Sequence, residues 1–391
     1  MRGRCWTGAI CWLLAGAARA SDPFADIAAA PVSPSPQGGS NAWQRFTDDN
    51  FTFKKELFSQ FTFSGEPGST NIYSRQSIGA EVLKKFSTRT ETVAAVDAQI
   101  RLVQRDHYLP VMDDMEGVGR RGLFLELHNL YADFYNCFDP SGRNVGRYNL
   151  RLGRFYLPFG LSQQTDTHGT ILQLSNDRNF GFERDWMAGL WGAVTPDINY
   201  DLYYLLGSGY NLEWEGQSGL AVSRLSLGNR MFNEYGVEGG VAVMGGQRLG
   251  GNDMMAMLDE ESRVIDTLRY GVDGRHTRMA PGGRAAMTGE LSAGTDDHDA
   301  VVSQLYGVDY LHRSRRWGAA GQYRDYRREQ ADVGGAEWMA DRSVAAEATW
   351  YFRNDIGNSN LHWVKANVER QVERMEGGAA TLYTLQYYRY W

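Results

Sequence analysis

From Asn50 onward, segments of roughly ten residues alternate apolar and polar side chains and are separated by turn-forming residues. In the third segment Val96, Ala98, Ile100 and Leu102 face one way, and Asp97, Gln99 and Arg101 the other. Val344, Ala346, Ala348, Trp350 and Phe352 oppose Ser343, Glu347 and Thr349; Val364, Ala366 and Val368 oppose Lys365, Asn367 and Glu369; Ile78, Ala80 and Val82 oppose Ser77, Gly79 and Glu81. A sheet with one greasy and one charged face, repeated over this length, predicts an all-β fold: a transmembrane antiparallel up-and-down barrel of about sixteen strands over 50–391. The strands are expected to start near residues 51, 74, 93, 123, 147, 185, 199, 219, 234, 264, 284, 301, 316, 343, 361 and 381.

Composition fits this reading. The 45 glycines, 21 tyrosines and 11 tryptophans against 10 prolines suit many short strands. No apolar run reaches the roughly 18 residues of a spanning helix, so a helical membrane protein is excluded. Aromatics gather near strand ends (Tyr306, Tyr310, Trp317, Tyr323, Trp350, Tyr351), as interfacial girdles require. The segment LYTLQYYRYW, closing on Trp391, is expected to be the closing strand.

Met1-Arg2-Gly3-Arg4, the apolar run Ala9–Ala18 and the Ala18-Arg19-Ala20 site predict an export signal over 1–20. Residues 21–49, rich in Pro, Gly and Ser, are expected to form a periplasmic linker, with a helical turn at Phe24–Ala29 that could plug a lumen. With Cys5 and Cys11 in the signal, Cys137 alone remains. That excludes an internal disulfide, a cysteine zinc site or covalent haem, and no cofactor or metal is expected. A formal net charge of −7 argues against a nucleic-acid partner. No nucleophile elbow, zinc-protease or nucleotide-binding motif is present, so an enzyme is not expected. His128 and His168 have no metal-ligand spacing. Gly239-Gly240 and Gly245-Gly246 are expected to mark bulges or bends in the wall.

Taking strand one outward, short periplasmic turns are expected at 87–90, 195–197, 313–315 and 354–358, and long outer loops at 105–121, 157–184, 247–262 and 328–341; the Cys137–Gly146 turn is long for its side. The third outer loop, Pro158–Glu183, is the longest stretch without alternation, which suggests a functional segment. Its candidate constriction residues are Gln163, Asp166, His168, Asn176, Asp177 and Arg178. The alternation points Glu81, Asp97, Arg101, Arg151, Arg224, Glu238, Arg269, Asp273, Glu290, Arg324, Glu347, Lys365 and Glu369 inward. Glu126 joins them as a candidate wall residue. Mixed signs predict weak charge selectivity or a transverse field.

The run Glu126-Leu127-His128-Asn129-Leu130-Tyr131-Ala132-Asp133-Phe134, followed by Leu150-Arg151-Leu152-Gly153-Arg154-Phe155-Tyr156-Leu157-Pro158-Phe159-Gly160-Leu161, resembles the phosphate-selective porin O and P type. The resemblance implies a sixteen-stranded, often trimeric outer-membrane channel for small anions, with its third loop folded inward and with Arg151 and Arg154 at basic lumen positions. The sequence departs from that family in having no ladder of Arg and Lys down one face. Two expectations stand beside each other: passive diffusion of small hydrophilic solutes or ions across the lipid of the bacterial outer membrane, or a barrel sheath enclosing a separate multihaem cytochrome.

Overall fold

A computed structural model describes residues 50–65, 72–88, 91–105, 122–138, 146–161, 171–172, 175–209, 218–228, 236–249, 264–332, 335–355, 360–375 and 379–391. The export signal, the linker and its helical turn lie outside the described residues. Sixteen antiparallel strands close one barrel in sequence order, with β1 (Phe51–Ser64) hydrogen-bonded to β16 (Ala380–Tyr390). The others are β2 (Ile72–Ser87), β3 (Thr92–Arg105), β4 (Gly122–Phe134), β5 (Asn149–Tyr156), β6 (Arg184–Thr195), β7 (Ile198–Leu205) and β8 (Gly219–Leu227). Then follow β9 (Gly236–Leu249), β10 (Val264–Ala280), β11 (Gly283–Asp296), β12 (Asp299–His312), β13 (Trp317–Asp332), β14 (Gly335–Asp355) and β15 (Asn360–Glu373). One short helix, α1 (Ser175–Phe180), lies between β5 and β6.

Closure is a backbone matter. The register pairs Glu56 with Tyr390, and Lys55 and Trp391 exchange both amide bonds at 2.8 and 3.0 Å, so no edge strand is left to aggregate. The pleat sorts the side chains. On β3, Ile100 is 42% exposed while Gln99 beside it is 1% exposed, and Val344 and Trp350 on β14 are exposed while Ser343, Glu347 and Thr349 are buried. An outer wall of Leu, Val, Phe, Trp and Tyr over a charged interior is inverted relative to a water-soluble protein, and it is the arrangement a lipid surround stabilises.

An even strand number puts β1's first residues and β16's last on one rim. The long connections β3–β4, β5–β6, β7–β8 and β9–β10 leave the opposite rim, while Pro281-Gly282 and Arg313–Arg316 make short turns at the terminal one. Those four long connections mark the opposite rim as the outer one, although β11–β12 turns there in two residues, so β1 begins and β16 ends on the periplasmic side. The β4–β5 connection is the long exception at that rim.

Two expectations need correction. Residues 328–341 do not form a long loop: β13 runs to Asp332 and β14 starts at Gly335, with Arg328 paired to Met339 and Glu329 to Trp338. Above the apolar band outward side chains need not be apolar, so the ladder continues where the sequence alternation stops. The glycine pairs of β9 mark no bulge, because β9 keeps an unbroken register with both β8 and β10. Gly240 is instead the place where the Arg224 guanidinium crosses the strand, 2.9 Å from where a Cβ would stand. The wall does bulge in β4, at His128: Gln99 pairs with Asn129 and Ile100 with Leu127. The extra residue turns both His128 and Asn129 inward.

Candidate functional site: the barrel interior

The described parts of the connection between β5 and β6, residues 157–161 and 175–183, lie in the interior. The last rung of the wall is Leu157 N–H to Glu183 O at 2.9 Å, after which both arms turn inward and bury Phe159, Leu161, Phe180 and Phe182. Pro158 has no amide hydrogen for the ladder, which helps release the chain from the sheet. The phenylalanines pack edge-on (Phe159 to Phe180, 5.1 Å) against a cluster that includes Leu205, Leu220, Val222 and Met244.

The far end of the segment is held by strands several positions round the barrel. Ser175 Oγ donates to Glu290 Oε2 on β11 at 2.5 Å, and the Leu161 amide bonds the same carboxyl. Ser292 Oγ donates to Asn179 Oδ1 at 3.1 Å, Asn176 Nδ2 donates to Phe159 O at 2.9 Å, and Arg248 Nη1 donates to Phe180 O at 3.2 Å. Gly160, at φ 64°, lies against the Glu290 carboxylate so closely that no Cβ would fit. Gly271 on β10 forms the socket for Phe159, whose ring comes within 2.7 Å of where a Cβ would stand. One carboxylate midway along β11 therefore clamps both arms of the segment.

Most of the interior cations described meet carboxylates. Arg101 Nε lies 2.8 Å from Glu56 Oε1 and its Nη1 lies 3.2 Å from Glu126 Oε1, while Arg75 reaches Glu126 from the other side at 2.8 Å. His128 sits between Arg101 Nη1 (2.8 Å from Nδ1) and Arg184 Nη2 (2.7 Å from Nε2), and Arg184 also contacts the Tyr156 hydroxyl. Arg151 makes a two-pronged pair with Asp133, both bonds 2.7 Å, under the rings of Phe155 and Tyr131. Arg224 pairs with Asp273 at 2.6 Å, Arg248 and Arg269 share Asp296 at 3.0 and 2.7 Å, Arg324 reaches Glu369 at 2.6 Å, and Lys365 reaches Glu347 at 3.0 Å.

Arg101, Glu126, Arg151, Arg224, Arg269, Arg324 and Lys365 thus all belong to this interior network. Arg154 lies at the seam where β4 parts from β5, and its Nη1 donates to the Leu127 and His128 carbonyls at 2.9 Å. Gln163, Asp166 and His168 lie outside the described residues; Asp177 and Arg178 belong to α1, with side chains outside the described set. Sequence reasoning missed Glu56, Arg184, Arg248 and Asp296. The alternation of β1 (Phe53, Leu57 and Phe61 outward) points Glu56 inward and could have found it, whereas Arg184, Arg248 and Asp296 sit at strand ends where the pattern runs out.

No family model and no curated protein matches the sequence. Solved structures match in fold. The chain superposes on OprB of Pseudomonas putida (high-pH structure) with TM-score 0.62 and 11% identity, over 89% of this chain and 96% of that one. OmpF of Salmonella typhi, in complex with daunomycin, gives 0.56 and 10% over 87% and 97%. An anion-selective porin from Comamonas acidovorans gives 0.52 and 7% over 87% and 99%. The shared architecture is that of outer-membrane porins, and a closed barrel of that fold with an apolar outer wall resides in the outer membrane.

Proposed function

We propose that the chain is a diffusion channel through which small hydrophilic solutes and ions cross the outer membrane. The observation that carries this reading is the pair of described arms of the third connection, 157–161 and 175–183, which lie inside a polar barrel and are clamped at mid-depth to Glu290, Ser292 and Gly271. Such a segment narrows a lumen without closing the wall. The polar interior hydrates a solute, and the rigid clamp fixes the size that passes.

Charge preference follows from the pairing. Arg101, Arg151, Arg224, Arg269, Arg324 and Lys365 each face a carboxylate, so the interior presents dipoles more than a row of free cations. Weak selectivity is the reading this supports; an anion or phosphate filter requires cations left unmatched. Gln163, Asp166, His168, Asp177 and Arg178 are proposed as constriction residues on the length and lost alternation of their loop, and a homotrimer as the assembly on the resemblance. A sheath around a separate cytochrome is the weaker alternative, because the barrel's own segment occupies the interior beside β9–β11.

Liposome swelling tests the proposal. Vesicles carrying the purified protein should swell in isotonic glycine or small sugars and stay shrunken in large oligosaccharides. Equal resistance to glycine in vesicles with and without protein would reject an open channel.

A further inference from the structure

Where β16 closes onto β1, the outward face carries cations that diffusion through the lumen does not use. Along β16 the outward positions are Tyr383, Leu385, Tyr387 and Arg389, alternating with the buried Tyr388 and Tyr390. On β1 they include Phe53, Lys55 and Leu57. Phe352, His362 and Tyr387 form an aromatic rung across β14, β15 and β16, with ring centroids 4.6 and 5.3 Å apart. This rung is the girdle at the terminal rim.

Arg389 lies one outward step rimward of Tyr387, roughly 6–7 Å along the strand, directly opposite His362 on β15 at the rim edge of the girdle. Its guanidinium rests over the Trp391 ring at 4.5 Å, and Lys55 is exposed on the next strand, joined to Trp391 by the paired backbone bonds. Toward the midplane β1 and β16 present Leu57 and Leu385, and β15 presents Val364 beside Tyr387. Among the described outward positions of β15, β16 and β1 there is no carboxylate.

We propose that Arg389 and Lys55 bind the phosphate of a phospholipid in the periplasmic leaflet, whose acyl chains lie along Leu57, Leu385 and Val364. The chemistry is complementary on both counts. A lipid phosphate at this depth offers a charged acceptor to two cations that would otherwise stand unmatched on a membrane wall. The apolar track below them takes the chains. Stacking on Trp391 orders the Arg389 head before the lipid arrives. This site lies outside the lumen and stands or falls independently of the channel.

The test is native mass spectrometry of the full chain in a non-ionic detergent, titrated with dioleoylphosphatidylglycerol. Each cation near a membrane surface adds about 1 kcal/mol, so the double variant Arg389→Gln/Lys55→Gln should bind the first lipid about thirtyfold more weakly. Lys55→Gln alone, which leaves β16 untouched, should lose about fivefold by the same reckoning, and covers the case in which the double variant does not fold. Arg370→Gln, on the same outward face near the opposite rim, should bind like wild type, and millimolar inorganic phosphate should not displace the lipid. Unchanged binding in Lys55→Gln and in a folded double variant would overturn the proposal. Displacement by free phosphate would also overturn it, leaving an anion site in place of a lipid site.

Discussion

Replacing Glu290 with Ala should release the internal segment without opening the wall. In the structure this carboxylate accepts the Ser175 hydroxyl at 2.5 Å and the Leu161 amide, one from each arm. Hydrogen bonds to a charged group contribute about 1.5–3 kcal/mol each. The variant also no longer buries a carboxylate, which offsets part of the loss, so the clamp should weaken by about 2–3 kcal/mol. That multiplies the released-to-clamped ratio by roughly 30–150, since about 1.4 kcal/mol is tenfold. The Glu290 carboxylate takes no part in the strand ladder, and β11 keeps its register with β10 and β12 through backbone bonds. The assay is single-channel recording together with limited proteolysis. The variant should show larger open-channel noise and a higher mean conductance, and should become cleavable between 162 and 174, while the folded barrel still migrates as a heat-modifiable band. Wild-type noise and wild-type protease resistance would refute the idea that Glu290 holds the segment.

Three further outcomes are expected. Gly271→Val puts a branched side chain where Phe159 packs, so it should raise conductance noise like the Glu290 variant and cost about 1–3 kcal/mol in denaturant unfolding; a silent substitution would show that the socket is not used. Arg151→Ala leaves Asp133 buried with the Trp191 Nε1–H, 3.2 Å away, as its remaining side-chain donor, and should destabilise the barrel by about 3–5 kcal/mol; a loss under 1 kcal/mol would contradict the pairing. Ile100→Arg places a cation on the outer wall at mid-strand and should cost about 2–4 kcal/mol in refolding into vesicles, whereas a neutral result would put that face away from lipid.

The wall was legible in the sequence because its physics is local. Each strand must offer apolar atoms to lipid and polar atoms inward, and that demand writes a period of two into residues such as Val96–Leu102 and Val344–Phe352. The pattern ends where the lipid ends. That is why the paired stretch from Arg328 to Asp341 reads as a loop, and why Arg184 and Arg248 escape notice. The His128 bulge was hidden for a related reason: one extra residue shifts the parity of β4, and only the register with β3 reveals it. Length and lost alternation marked the third connection as a functional segment, and its inward course was what the resemblance implied. Its anchor could not be expected, because Ser175 and Glu290 are 115 positions apart and meet only once the barrel has closed.

The most direct test of the central claim is single-channel conductance of the purified protein in a planar bilayer, with the reversal potential read under a salt gradient. An open lumen lined by matched charges predicts discrete conductance steps and a reversal potential near zero. A bilayer that stays silent at saturating protein would contradict the channel. A reversal potential close to the limit for a single ion would contradict the matched interior.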